Sequence, residues 1–159
     1  NPSSTKMFAK TNQNLKNNDS TLFFSFMFKK FLSLLMKDGK KIKAEVILKK
    51  VFVRVSLQGF SPVNVLILAV NNIKPLLEVR NVRLKGRAHQ VPFPILFPRQ
   101  ITSSFKTILS SFNGKRKFED FLVDELINSS LGKSQSVKTT VNLHKLASQN
   151  RLFAHFRWF

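Results

Sequence analysis

The 159-residue chain contains no cysteine. Disulfides, thiolate metal sites and a cysteine nucleophile are therefore excluded, while the redox compartment stays open. Acidic residues are scarce: 8 Asp and Glu stand against 27 Lys and Arg, a formal net charge of +19. Charged residues make up 22% of the chain, near the usual share of about 25%. The amount of charge is ordinary and only its sign is abnormal, so the expected partner is a polyanion. Long hydrophobic runs are missing as well. The longest are 22–28, broken by one serine, and 65–70, far short of the roughly 20 residues that span a bilayer. A soluble protein with no membrane span is expected.

Catalytic constellations are equally sparse. The five glycines, Gly39, Gly59, Gly86, Gly114 and Gly132, each sit at a predicted break, and neither a Walker loop nor a dinucleotide fingerprint occurs. Three histidines are present, His89, His144 and His155. On one continuous helix the last two would lie about 16 Å apart, too far to share a metal. The acid pairs Glu119-Asp120 and Asp124-Glu125 fall in the first half of one predicted helix, where they compensate the helix dipole. No catalytic residue, metal or cofactor is expected, and the chain does not read as an enzyme.

With 43% hydrophobic residues, a chain of this length can bury roughly 70% of its unfolded surface in one core. Residues 1–21, rich in Asn, Ser, Thr and Lys, read as a flexible polar arm. Residues 22–36 could pass for a targeting segment. However, Lys29 and Lys30 interrupt them, and Phe24, Phe28, Phe31, Leu34 and Leu35 fall on one helical stripe. A helix is predicted over 22–37, ending at Asp38-Gly39. A second follows over 41–57, with Ala44, Ile47, Leu48, Val51, Phe52 and Val55 facing inward. A third covers 62–73, with Ser61 as its N-cap and Pro62 at its first position. Its β-branched run VNVLILAV would also suit a buried strand. Residues 76–92 read as a β-hairpin, and Pro92, Pro94 and Pro98 stiffen the exit. Further helices are predicted from near Arg99 to Asn113-Gly114, over 118–130, and from Val137 to the end. The expected fold is mainly α: a single domain over 22–159 of about six helices, with a β-hairpin arm over 76–96 projecting between the third and fourth.

The charge is unevenly distributed along this fold. Nine Lys or Arg and no acid lie between Val79 and Phe118, and five and none between Leu126 and Phe159. Arg80, Arg83, Lys85 and Arg87 crowd the hairpin tip, a density of like charge that destabilises paired strands unless an anion compensates it. Lys115, Arg116 and Lys117 form a second cluster. Most of the 17 phenylalanines recur at helical spacing and read as core, whereas for Phe156 and Trp158, flanking Arg157, core packing and stacking on RNA bases both stay open. A projecting basic hairpin with an acid-free flank favours nucleic-acid binding over an anionic membrane surface.

Four ordered blocks carry a resemblance: FLSLLMKDGKK (31–41), NIKPLLEVR (72–80), QVP (90–92) and LHKLASQNRLFAHFRW (143–158). Together they closely resemble small-subunit ribosomal protein seven, with fitting spacing across residues 31–158. The resemblance implies six helices with a hairpin arm after the third. It also implies binding to the 3′ major domain of the small-subunit ribosomal RNA, head assembly beside neighbouring head and platform proteins, and an arm near exit-site tRNA and departing mRNA in translation. No catalysis is implied. The rival readings are a basic peripheral membrane-surface protein, a non-ribosomal RNA-binding protein and a nucleic-acid enzyme with a cryptic acid cluster.

Carried over by position, the resemblance aims Lys40 and Lys41 of the Asp38-Gly39 corner at phosphates. It assigns Arg80, Arg83 and Gln90 to the arm, and Asn150, Arg151, His155, Arg157 and Trp158 to a terminal-helix surface. With the basic clusters, the candidate RNA contacts also include Lys43, Lys85, Arg87, Arg99, Lys115, Arg116, Lys117 and Lys138. Some positions depart from the family pattern: Lys85-Gly86 replaces Gly-Gly at the tip, Thr139-Thr140 replaces basic residues before the last helix, and Arg99-Gln100 replaces a more basic pair. The chain opens on Asn1 rather than methionine, leaving processing or an incomplete end open, and its short terminus at Phe159 resembles organellar members. Abundant Phe, Asn and Lys, with 19 Lys to 8 Arg, point to a mitochondrial ribosome, with a plastid or bacterial cytoplasm as alternatives.

Overall fold

In the computed structural model, residues 22–84 and 86–158 are described; the N-terminal segment, Lys85 and Phe159 lie outside them, as do the side chains of Leu84 and Trp158. The elements are helices α1 (22–35), α2 (Lys41–Leu57) and α3 (Pro62–Ile73), strands β1 (Leu77–Leu84) and β2 (Arg87–Pro94), and helices α4 (Phe97–Ser110), α5 (Phe118–Ser130) and α6 (Gln135–Gln149). A terminal 3-10 segment covers Arg151–Trp158. The fold is mainly helical, with one antiparallel hairpin between the third and fourth helices.

Each of α1–α5 contributes an apolar stripe to a common core. Met27, Phe31 and Leu32 come from α1, Leu48, Val51 and Val55 from α2, Leu66, Ala69, Val70 and Ile73 from α3, Ile101, Phe105 and Ile108 from α4, and Leu122 and Leu126 from α5. Phe31 and Phe105, both fully buried, stack with ring centroids 4.6 Å apart, a pairing worth about 0.5–1.5 kcal/mol beyond the area it buries. Phe24 and Phe28 pack on Phe52 at 5.9 Å each. The phenylalanines of α1 other than the exposed Phe26 are thus committed to packing, and 22–35 is a core helix. No single described helix is long and apolar enough to cross a membrane.

At the α1–α2 corner, Asp38 and Gly39 both take positive φ (54° and 70°), and the chain reverses within a few residues. Asp tolerates this conformation better than most side chains, and Gly does so without steric cost. Ser61 occupies the N-cap position of α3, but its side chain makes no capping hydrogen bond. Pro62 alone carries the start signal there, its fixed φ suiting the first helical position.

Besides small shifts at the end of α1 (35, not 37), the end of α4 (Ser110) and the start of α6 (Gln135, not Val137), three boundaries differ from expectation. Strand β2 runs on to Pro94, with Pro92 opposite Val79 and Pro94 opposite Leu77. Strand N–H groups alternate sides, so residues two apart lose donors on the same edge. In a two-stranded ribbon that edge can face away from the partner. Helix α4 starts at Phe97, not Arg99, with Pro98 in its first turn, where no donor is required.

The third boundary is the end of α6. Instead of continuing to the terminus, α6 closes at Gln149, and the chain tightens into the 3-10 segment. With three residues per turn, positions three apart eclipse. Phe153 and Phe156 therefore share one face, their rings 6.1 Å apart and nearly parallel. His144 and His155 do not belong to one continuous helix.

Candidate nucleic-acid interface

The arm is a ladder from Leu77↔Pro94 to Leu84↔Arg87, with Gly86 in its turn at φ 81°. Only glycine accepts that φ without strain. Arg83 lies opposite Ala88, and Arg87 opposite Leu84. Because successive residues alternate faces, the two guanidinium groups leave opposite faces of the tip. Both residues are exposed, and neither has an ion-pair partner among the described residues.

Arg80 is different. It is ion-paired to Glu78, and its guanidinium stands 5.0 Å above the Phe93 ring. The other oxygen of Glu78 accepts from Arg99 Nε at 2.9 Å. One carboxylate thus ties the root of β1 to the first turn of α4. Arg80 and Arg99, both candidate contacts, already share an internal partner. Lys40 is likewise paired with Asp38 at 3.6 Å, and Arg116 with Asp124 at 3.2 Å. Exposed pairs such as Lys40–Asp38 and Arg116–Asp124 contribute about 0–1 kcal/mol, so those two cations can be drawn away by a phosphate.

The terminal 3-10 segment braces the arm from the side. Phe153 and Phe156 hold the His89 ring at 5.0 and 5.5 Å. Asn150 Nδ2 donates to Gln90 Oε1 at 3.3 Å, and the Leu76 amide donates to His144 Nε2 at 3.1 Å. Gln90 and Asn150, assigned separately to RNA, are brought together as partners. Phe156 packs on the arm instead of standing free for a base, while Arg151, His155 and Arg157 remain exposed along the outer edge. His89→Ala is expected to cost about 1 kcal/mol and to raise amide exchange in β2 about fivefold. An unchanged exchange rate would show that the aromatic clamp does not hold the arm.

The remaining candidates divide by location. Lys41 and Lys43 are exposed at the start of α2, Lys115 and Lys117 flank Arg116 between α4 and α5, and Lys138 is exposed on α6. Thr140 is not a surface position. It is 7% exposed, and its hydroxyl bonds the carbonyls of Ile73 and Ser136, so it closes the C-terminal end of α3. Gln100 donates to the Ile95 carbonyl at 3.0 Å and braces the arm's exit. Lys85 and the Trp158 side chain lie outside the described part.

Two cations were missed. Lys30 and Lys106 join Arg99, Thr102, Ser103 and Glu78 around a concavity of about 510 Å³ between α1, α4 and the arm's root. In the sequence Lys30 reads only as an interruption of an apolar run, and no local signal pairs it with Lys106.

Among the described residues the acids are engaged in structural pairs. Glu119 and Asp120 pair with Lys50 and Arg54 of α2. Glu125 accepts from Ser136 N and Oγ at the start of α6. Its role therefore goes beyond compensating the dipole of its own helix. Lys49, hydrogen-bonded to Glu45 at 2.9 Å, holds that carboxyl below its usual range. No group of three metal-ligating side chains occurs among the described residues.

A helical body presenting a cationic two-stranded arm, edged by a basic terminal segment, defines a class of basic, arm-bearing helical proteins. The profile of the family described as "Ribosomal protein S7p/S5e" matches residues 4–151, and the chain belongs to that family. It is 34% identical over 139 residues to the small ribosomal subunit protein uS7 of Bordetella petrii, covering 86% of this chain and 89% of that one. Identity to the protein of the same name from Phytoplasma australiense is 34% over 144 residues, 89% and 92% of the two chains. For that of Kosmotoga olearia it is 36% over 132 residues, 81% and 85%.

Proposed function

We propose that this member of the S7p/S5e family is a non-catalytic structural component of the small ribosomal subunit. In this reading it binds the 3′ major domain of the small-subunit rRNA, helps to organise the head among neighbouring head and platform proteins, and serves translation. The arm would lie beside exit-site tRNA and departing mRNA. The observation that carries this reading is the arm itself: Arg83 and Arg87 leave opposite faces of a braced ribbon with no internal ion pair among the described residues.

Lys40, Lys41, Lys43, Lys115, Arg116, Lys117, Lys138, Arg151 and Arg157 supply further phosphate contacts. Each contact releases condensed counterions, so log affinity falls by roughly 0.7–0.9 per log unit of salt for every phosphate neutralised. Specificity comes from the shape of the folded RNA, since A-form grooves offer side chains little sequence to read. The excess of Lys over Arg, 19 to 8, supports an organellar ribosome, the mitochondrial one first. The relatives named above are bacterial, and a bacterial cytoplasm is the alternative.

Filter binding to the isolated head-domain rRNA, competed with an unrelated folded RNA of equal length, tests the reading. At least a tenfold preference for the head domain is expected. Equal retention of both RNAs would reduce the chain to a generic polycation.

A further inference from the structure

Helix α2 is apolar on two sides. At 100° per residue, Ala44, Leu48, Val51 and Val55 cluster on the side buried against the core. Ile42, Val46, Val53 and Leu57 fall within about 60° of one another, centred roughly opposite that buried stripe. They are 79%, 45%, 59% and 81% exposed. Only the inward stripe is explained by folding. Between the two apolar ends of the outer stripe stand Lys49 and Lys50, and a shallow groove of about 440 Å³ runs along Val46, Lys49, Lys50, Val53, Arg54 and Leu57.

The electrostatics of this face differ from those of the arm. Glu45, Glu119 and Asp120 are gathered around it and pair with Lys49, Lys50 and Arg54. A chain with only 8 acids spends three of them here and none on the arm beyond Glu78. A phosphate backbone gains little from such a surface, because it has nothing apolar to lay against the stripe's two ends.

We infer that the outer face of α2 docks an amphipathic helix of another protein, apolar at both ends and acidic at its middle. The order along the face, apolar then lysine then apolar, selects that occupant. Lys49 and Lys50 are 68% and 57% exposed and each is seen with one acidic partner, whereas an ammonium has three donors. A carboxylate arriving opposite them therefore finds free donors while its helix buries Ile42, Val46, Val53 and Leu57. A second copy of this chain fits poorly: pairing two α2 helices, parallel or antiparallel, sets the lysine pair of one against that of the other. From Ile42 to Leu57 the stripe is about 22 Å long, enough for four turns of a partner helix.

The test is fluorescence anisotropy with the full chain at about 150 mM salt, where nonspecific surface attraction is screened within about 8 Å. The probe is a labelled synthetic helix of about 18 residues, with leucines spaced four, seven and four apart and a Glu-Glu pair midway. A scrambled helix of identical composition controls for attraction to net charge. The designed helix is expected to bind at least tenfold more tightly than the scramble. A Val53→Ser/Leu57→Ser variant, neutral and at exposed positions, is expected to abolish that preference while keeping the thermal midpoint and rRNA binding. Equal binding of both helices, or a preference that survives the double substitution, overturns the inference. So does self-association, or binding to phosphatidylserine vesicles, that the same substitutions remove, since either would assign the stripe to another occupant. Failure of the rRNA assay leaves this result untouched, because the two surfaces are read by different probes.

Discussion

Replacing Arg83 and Arg87 together with alanine is expected to lower affinity for the head-domain rRNA roughly a hundredfold, at about 1.4 kcal/mol for each arginine–phosphate interaction removed. The dependence of log affinity on log salt should shallow by about 1.4–1.8, the contribution of two neutralised phosphates. Thermal unfolding should barely change, because exposed substitutions away from caps and pairs usually fall within about 0.5 kcal/mol. Arg80→Ala is the informative contrast. Its guanidinium pairs with Glu78 and covers Phe93, so its removal should loosen the root of the arm and shift stability as well as binding. If the Arg83/Arg87 variant instead lost stability and kept its salt slope, the tip would be structural and the proposed interface wrong. The measurements are filter binding across a salt series and a melting curve of the same preparations.

The helical part of this fold was readable because its signals are local. The bounds of α2, α3 and α5 coincide with the stops given by Asp38-Gly39, Gly59-Phe60-Ser61-Pro62 and Gly114, each a backbone requirement independent of packing. The end of α6 was not readable. Residues 143–158 keep a helical pattern through Asn150, and the tightening beyond it follows from Phe153 and Phe156 meeting His89, sixty or more residues away in the chain. No local rule anticipates that meeting. The outer stripe of α2 was overlooked for a different reason: once one helical face had been assigned to the core, Ile42, Val46, Val53 and Leu57 fell between lysines and read as part of a solvated side.

The candidate interface was legible as a density of charge but not as an arrangement of it. Counting Lys and Arg shows how much charge the arm carries, yet counting cannot distinguish Arg83, with no ion pair among the described residues, from Arg80 and Arg99, which share Glu78 across a span of twenty-one residues. Gln90 and Asn150 carry no charge and entered only through the resemblance; their mutual hydrogen bond depends on the terminal segment lying along β2. Thr140 likewise reads in the sequence as a missing basic residue, whereas its burial under the end of α3 makes a long cationic side chain unsuited to that position.

Glu125→Ala is expected to destabilise the protein by about 3 kcal/mol, because it strands the buried Ser136 amide and leaves Ser136 Oγ only the Ser111 hydroxyl, 3.1 Å away, at the start of α6. The carboxylate is 7% exposed and accepts from both Ser136 N and Ser136 Oγ. Ser134, the N-cap, accepts from Val137 N, and its own Oγ accepts from Ser129 Oγ at 2.9 Å. Together the two residues satisfy successive orphan amides of the first turn, one with a hydroxyl and one with a full negative charge at the positive end of the helix dipole. Each buried donor left unpaired costs about 1–3 kcal/mol, and at roughly 2–4 °C per kcal/mol for a chain of this size the midpoint should fall by about 6–12 °C. Glu125→Gln keeps an acceptor oxygen and loses only the charge, so it should cost about 1 kcal/mol. Differential scanning calorimetry of the two variants separates geometry from charge: equal losses would mean that the helix dipole, rather than the satisfied donors, holds α6. Because α6 carries His144 and leads into the segment that clamps His89, the alanine variant should also lose rRNA affinity on warming before it unfolds, whereas the glutamine variant should not.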